Sequence, residues 1–475
     1  MTPRKIGTAS LARLLGEWFQ PHSRTPAYQQ LAQGLRQLIL DGRLTVDSQL
    51  PGERSLSTLL GISRTTLASA LADLRDQGYL TSRQGSGSVV LLPENRPTLS
   101  AIPGLANGLD LSTAALSAGP EIHQAYSQAL SALPDYLGLT GYESQGLPLL
   151  REAIAARYRA RGLATDAGQI MVVNGALSGL ALVLRLLTGP GDRVVIDQPT
   201  YPMAINAIRS ASCRPVPVSL PDSGWDTEGL AATIAQTAPR LVYLLADFHN
   251  PTGRCMDAAT RQRLCHMISR NRTTLVVDET MADLWFETPP PPPVAAFGAE
   301  ESIITLGSAG KTFWGGLRVG WIRASKKTIN ALIQIRNSLD LGTPILEQLA
   351  TAALYNHADT FMPARRQMLR ARRDASQQMI SSLFPDWHAP VPEGGLSWWI
   401  ALPAARATLF ATHAESAGIR LGSGPRFGVD GAFERYLRMP FTLETGQMHQ
   451  ALTQLQPIWQ QLSRVAEEKN RHLIL

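Results

Sequence analysis

Two periodicities divide the chain. In "PAYQQLAQGLRQLILDGRL" (26–44), Tyr28, Leu31, Leu35, Leu38 and Ile39 fall at helical spacing until Asp41-Gly42 breaks the run. "QLPGERSLSTLLG" (49–61) starts at a Pro-Gly turn, carries Leu56, Leu59 and Leu60, and closes on Gly61. "ISRTTLASALADLRDQGYL" (62–80) has Ser63 as its N-cap and Leu67, Ala70, Leu71 and Leu74 on one face, with Gly78 ending it. "TSRQGSGSVVLL" (81–92) then reads as a short hairpin with a Gly-Ser-Gly tip. Three helices and a hairpin wing, in that order, predict a winged helix-turn-helix over 1–92.

From about 109 the pattern changes. Short, nearly unbroken apolar runs alternate with helical segments: "QIMVVNG", "DRVVIDQP", "RPVPVSL", "RLVYLLADF", "TTLVVDE", "SIITLGS" and "LRVGWIR". Strands without polar alternation belong to a sheet covered on both faces, so an α/β, doubly wound domain is expected over 109–475. Residues 93–108, "PENRPTLSAIPGLANG", hold three prolines and little periodicity and read as an extended linker. The run "PPPPP" at 289–293 reads as a stiff surface loop.

Composition narrows the class. With 475 residues, 44% apolar and 17% charged, the chain is an ordinary globular protein of at least two domains. No apolar run reaches the ~20 residues of a membrane helix, and residues 1–20 lack a signal-peptide core, so a cytoplasmic protein with no membrane partner is expected. Cys213, Cys255 and Cys265 show neither ligand spacing nor a disulfide framework, and no metal site is expected. The net charge of +6 is uneven: residues 1–90 hold ten Lys/Arg against six Asp/Glu, a local excess that suits contact with a polyanion.

That excess surrounds specific chemistry. Ser63, Arg64, Thr65 and Thr66 crowd the first turn of the third helix, where hydroxyls, bare N–H groups and an arginine can bond phosphates and reach base edges. Arg54 on the preceding helix can clamp the backbone, and Arg83, Gln84 and Gly85 at the wing can lie along a phosphate. Taken alone, such a turn reads equally well as a capped, solvated helix start; the complete helix–helix–helix–hairpin order turns the reading toward double-stranded operator DNA. With its Leu-Pro-x-Glu-Arg, Ser-Arg-Thr-Thr and glycine wing, the segment resembles the GntR family of bacterial regulators. It departs from several members in having Ala68 and Ser69 where an arginine stands further into the recognition helix.

The large domain concentrates its unusual residues at strand ends, where α/β folds bind ligands. After "MVVN" come Gly175 and Ala176, opening a helix whose N–H groups suit a phosphate. Tyr201 follows "VVIDQP", Asn250 sits in "HNPTG", and Asp278 ends "TLVVD". Lys311 follows "ITLGS", with Ser308 before it and Arg318 after. Singly these are a turn, a cap, a core tyrosine and a solvated lysine. As a set they supply a phosphate cradle, a stacking ring, a donor, a carboxylate and an amine, which together fit pyridoxal 5′-phosphate (PLP).

On these residues 109–475 resembles a fold-type I aminotransferase, and the whole chain resembles the MocR-type subfamily of GntR regulators. The resemblance implies a mostly parallel seven-stranded sheet with a small C-terminal subdomain, and a lysine Schiff base at Lys311. It pairs Asp278 with the pyridinium nitrogen and Asn250 with the phenolic oxygen, stacks Tyr201 on the ring, and gives the phosphate to Gly175, Ala176, Ser308 and Arg318. It gives Arg438 in "ERYLRMPF" the carboxylate of an amino-compound effector, puts Gly395 on the substrate side, and makes Tyr142 reach the cofactor of a homodimer partner. Met281 in "DETM" stands where the family usually has a tyrosine, and Gly310 replaces a small polar residue before the lysine. The implied protein is a DNA-binding transcription regulator responsive to PLP or an amino compound. The alternatives are a PLP-dependent aminotransferase with an N-terminal extension, against which Met281 weighs, and a DNA-binding scaffold whose cofactor only stabilises it.

Overall fold

The computed structural model describes residues 4–20, 25–83, 87–91 and 108–472. The N-terminal unit contains helices α1 (Thr8–Leu15), α2 (Ala27–Leu40), α3 (Glu53–Leu60) and α4 (Arg64–Asp76). Its strands are β1 (Arg4–Lys5), β2 (Ser48–Gln49), β3 (Leu80–Arg83) and β4 (Gly87–Val90), in the order β1-β2-β4-β3. The expected three helices and wing are present. The sequence reading lacked α1 and the two short strands that widen the wing into a sheet. Leu11 and Leu15 of α1 join Leu35, Leu38, Leu56, Leu67, Leu71 and Leu74 in one buried cluster. At about 1.5–3 kcal/mol per fully buried aliphatic side chain, this packing rather than helix propensity holds an eight-residue α1 in place.

The next strands are β5 (Leu109–Leu111), β6 (Ile170–Val173), β7 (Arg193–Gln198), β8 (Arg214–Ser219) and β9 (Leu241–Leu244). They are followed by β10 (Thr274–Asp278), β11 (Ile303–Ser308) and β12 (Gly320–Arg323). All seven apolar runs enter one sheet of order β6-β12-β11-β10-β9-β7-β8, parallel except that β12 runs against both β11 and β6. Alternate side chains serve two cores. Val172, Val195, Val242 and Val277 face one, while Met171, Val194, Tyr243 and Val276 face the other. Burial on both faces is why these strands read as unbroken apolar runs.

A third sheet belongs to the smaller subdomain: β13 (Ser397–Ala401), β14 (Ile419–Ser423) and β15 (Tyr436–Pro440), in the order β13-β15-β14-β5. The first strand of the large domain therefore closes the last sheet, Leu109 pairing with Ile419. The N-terminal unit rests on this subdomain. Arg36 of α2 lies 3.4 Å from Glu415, and Arg43 donates to the Thr408 hydroxyl at 3.0 Å, both on the helix Ala407–Ser416. Among the described residues no helix is long and apolar enough to cross a membrane, and no group of His, Cys, Asp and Glu is placed to hold a metal ion.

Candidate functional site

The carboxyl ends of β6, β7, β9, β10 and β11 surround a cavity of about 300 Å³. Gly175, Ala176, Tyr201, Asn250, Asp278, Ser308, Lys311 and Arg318 all line it. Residues far apart in sequence thus meet in one place because parallel strands all end on one side of the sheet.

Lys311 is delivered by β11 through the short helix Ala309–Thr312, whose first turn is fixed by the Ser308 hydroxyl accepting from the Gly310 N–H at 3.1 Å. Its Nζ donates to the Ala114 carbonyl at 2.6 Å. Burial, aided by the charges of Arg438 and Arg318 and opposed by Asp278, brings the ammonium down to about 8. A lysine so placed is still mostly protonated near pH 7, but about a tenth of it is neutral, far more than of an ordinary lysine, and that fraction is a ready nucleophile.

Asp278 ends β10 and is only 8% exposed. Its Oδ2 accepts from the Tyr243 hydroxyl at 2.8 Å and its Oδ1 from the Thr280 N–H at 3.0 Å. Burial still pushes the carboxyl above its ordinary value, with Thr280, Tyr243 and Lys311 opposing. A buried carboxylate held this way favours a cation or an N–H directed at it from the cavity.

The turn before the helix Ala176–Leu187 favours glycine by its backbone conformation, and the space beside it is tight. Gly175 has φ +93°, and a Cβ there would stand 2.9 Å from Nη2 of Arg318, which itself donates to the Asn174 carbonyl at 3.0 Å. The guanidinium and the helix's free N–H groups together form a cradle for an anion. Across the cavity, Asn250 precedes a cis proline, and its buried Oδ1 has no partner among the described residues. Behind it, burial takes His249 down to about 3, so the ring beside Asp197 is neutral.

Met281 also lines the cavity and is buried, so a thioether stands where the resemblance leads one to expect a hydroxyl. Of the two tyrosines in this wall, Tyr201 and Tyr243, the second has its hydroxyl committed to Asp278. Sequence reasoning missed Tyr243. Its signal was slight: one hydroxyl inside the apolar run "RLVYLLADF". Also missed was Asp247 at the cavity wall, held by Arg161 at 3.0 Å and by the fully buried Arg261 at 2.5 Å.

Three expected site residues do not line the cavity. Tyr142 is 67% exposed. Gly395, at φ +82°, donates its N–H to the Leu284 carbonyl. Arg438 is buried on β15, above the Phe427 ring, and donates to the Ser112 carbonyl. Burial, then the neighbouring Arg426, bring its guanidinium down to about 10, and its Nε is buried with no hydrogen-bond partner among the described residues. A desolvated guanidinium with a free N–H is a strong site for a carboxylate.

At the other end of the chain, Ser63 caps α4, its hydroxyl accepting from the Thr66 N–H at 3.0 Å and bonding the hydroxyls of Thr65 and Thr66 at 2.7 and 2.8 Å. Arg54, Ser63, Arg64 and Thr65 are exposed, and Thr66 is half-buried. Arg83 ends β3, while Gln84 and Gly85 lie outside the described residues.

The model of the aminotransferase class I and II family matches residues 109–455, and that of the bacterial regulatory proteins of the gntR family matches residues 27–90. The uncharacterized HTH-type transcriptional regulator YisV of Bacillus subtilis is 27% identical over 82% of this chain and 88% of its own length. The probable rhizopine catabolism regulatory protein MocR of Rhizobium meliloti is 30% identical over 62% of this chain and 65% of its own. Among solved structures, the α-aminoadipate aminotransferase LysN of Thermus thermophilus, complexed with N-(5′-phosphopyridoxyl)-L-leucine, superposes with a TM-score of 0.70 at 23% identity, covering 76% of this chain and 95% of that one. The chain therefore belongs to the aminotransferase class I and II family, in the MocR-type arrangement that sets a GntR helix-turn-helix ahead of the aminotransferase domain.

Proposed function

We propose that the protein is a cytoplasmic, homodimeric transcription regulator that reads operator DNA through α4 and the wing and binds PLP at Lys311. On this reading it responds to PLP itself or to a carboxylate-bearing amine. The observation that supports this best is the cavity that joins a low-pKa lysine, a buried carboxylate and an arginine–glycine cradle, in a chain that also exposes a capped Ser-Arg-Thr-Thr turn.

The residues present fit the cofactor. Gly175, Ala176, Ser308 and Arg318 form the anion cradle, Tyr201 offers a ring face, and Asp278 opposes a ring nitrogen. Asn250, whose Oδ1 has no partner among the described residues, can turn its NH₂ group toward a ring oxygen. PLP, when bound, supplies an aldehyde carbon that amines attack. Lys311 serves as the resident amine because burial keeps part of it neutral. Asp278 holds a proton at the ring nitrogen, supported by Tyr243 and Thr280. Arg438 receives an effector carboxylate by giving up the Ser112 carbonyl, its free Nε adding a second donor. Tyr142, exposed on its own subunit, is free to serve a partner's site. Met281 leaves no hydroxyl at its position to control a proton, which favours sensing over turnover.

The test is a DNA titration using the region upstream of its own gene, with and without PLP. Affinity or stoichiometry is expected to change with PLP, and Lys311→Ala is expected to abolish the change. Identical binding in both conditions would mean that the cofactor is structural or awaits an amine. Steady formation of glutamate from 2-oxoglutarate and an amino acid would favour the aminotransferase reading.

A further inference from the structure

The stretch Gly422–Phe427, where β14 ends and a short turn follows, has two occupied sides. One side holds Arg438. Gly422 pairs with Arg438 across β14 and β15, and the Phe427 ring lies 5.3 Å from the Arg438 guanidinium carbon. The Phe427 carbonyl also accepts from the Thr200 N–H at 2.8 Å, next to Tyr201 of the cofactor cavity.

The other side seats the DNA-reading unit. Asp41, at the C-terminal end of α2, has a side chain only 3% exposed. Arg426 Nε stands 3.5 Å from its Oδ1, and the Ser423 hydroxyl donates to its Oδ2 at 3.5 Å. Gln37, one turn earlier on α2, donates to Oδ1 at 3.1 Å. Burial raises the Asp41 carboxyl, while Arg426 and Arg43 oppose the rise. Asp41 and Arg426 also share a cavity of about 200 Å³ with Ser112, whose carbonyl accepts from Arg438.

Two features make this contact responsive rather than merely adhesive. Its cross-domain distances are long for charge-assisted bonds, so little geometry must be lost to break it. A buried carboxylate that loses its cation is costly, so its partner's position matters to whether the two units stay docked. Arg426 already repels Arg438 and attracts Asp41. A ligand carboxylate arriving at Arg438 adds a second anion whose field acts on Arg426 along with that of Asp41.

We propose that Gly422–Phe427 is the joint between the effector site and the DNA-reading domain: a carboxylate on Arg438 draws Arg426 away from Asp41 and loosens the seat of α2. Arg426, Ser423 and Asp41 are positioning residues in this scheme, touching neither cofactor nor DNA. The scheme rests on the reading of Arg438 as the carboxylate site, and it satisfies the requirement that a ligand favour one arrangement over the other.

The experiment follows two signals on the full-length protein loaded with PLP, using a mixture of the common protein amino acids as probe. The cofactor's visible absorption reports whether an amine enters the Lys311 site. Amide hydrogen exchange over 27–40 reports the seating of α2. In the wild type the mixture is expected to change the absorption and to speed α2 exchange about tenfold. In Asp41→Asn the absorption still changes, but α2 exchange is already fast and does not respond. Ser423→Ala, which leaves α2 itself untouched, shifts exchange in the same direction by a smaller factor. An absorption change with no response of α2 in the wild type refutes the joint alone. So does an Asp41→Asn protein with wild-type exchange and wild-type response. An absorption that answers to no amino acid removes the effector reading and the joint with it.

Discussion

Replacing Asp278 by Asn is expected to move two measurements in opposite directions. The carboxylate is buried against Tyr243 at 2.8 Å and the Thr280 N–H at 3.0 Å. An amide of the same shape keeps both contacts: its oxygen accepts from Thr280, and its NH₂ donates to a Tyr243 hydroxyl that rotates to receive it. What disappears is the charge. Burial raises the folded-state pKa of Asp278 above the 3.8 of an ordinary aspartate. Its contribution to stability is therefore fully present below about 3.8 and lost as pH rises through the folded value. Each pKa unit of that rise is worth about 1.4 kcal/mol. The Asp278→Asn apoprotein should match the wild type in acid and melt higher at neutral pH, the gap opening as pH rises. Cofactor affinity goes the other way. A charge-assisted hydrogen bond from a ring N–H is worth about 1.5–3 kcal/mol, so PLP should bind about 10- to 150-fold more weakly. Differential scanning fluorimetry of the apoprotein across pH and an absorbance titration with PLP give the two numbers. An Asp278→Asn protein that melts lower than wild type at neutral pH, or binds PLP as tightly, would refute the assignment of Asp278 as a destabilising charge kept for a cationic ring.

With Lys311 brought down to about 8, the rate at which borohydride traps PLP on the apoprotein should rise with a midpoint near pH 8; a midpoint near the ordinary lysine value of 10.5 would show the amine to be solvated. Ser63→Ala removes the oxygen that accepts from the Thr66 N–H and should cost the DNA-reading unit about 1 kcal/mol. Its melting temperature should fall and DNA affinity with it, whereas unchanged melting would mean that α4 is held by its buried leucines alone.

Much of this was legible because the chemistry lies where the pattern changes. Asp278 is the last residue of β10, and Lys311 and Asn250 lie three and six residues beyond the ends of β11 and β9, so reading the strands was enough to bring these positions to one end of the sheet. The seven runs were unambiguous because burial on both faces removes polar alternation. What escaped depends on neighbours the linear pattern does not specify. Tyr243 looks like one more β-forming aromatic until β9 aligns with β10, with Tyr243 opposite Val276, and its hydroxyl meets Asp278. The helix α1 has Gly7 before it, whose missing side chain offers no capping signal, and its apolar residues are meaningful only against the rest of the cluster. The pairing of Leu109 with Ile419, and the seat of Asp41 on Arg426, each join segments far apart in the chain.

Two features of the cavity wall point the same way. An enzyme must place protons during turnover, whereas a sensor needs only a bound state that differs from the free one. At Met281 the wall carries a thioether, and the hydroxyl of Tyr243 is spent on Asp278. Groups suited to binding stand beside them: a neutralisable Lys311, a glycine turn close against the Arg318 guanidinium, and an Arg438 with one N–H unpartnered in a buried site. Side chains suited to gripping a ligand are thus present, while position 281 offers no hydroxyl to manage its chemistry. The arginine that would feel the ligand's carboxylate sits against the very strand end that carries the DNA-reading domain. A seat for α2 beside that arginine suits the proposed sensing role, whereas turnover alone gives no reason to place it there.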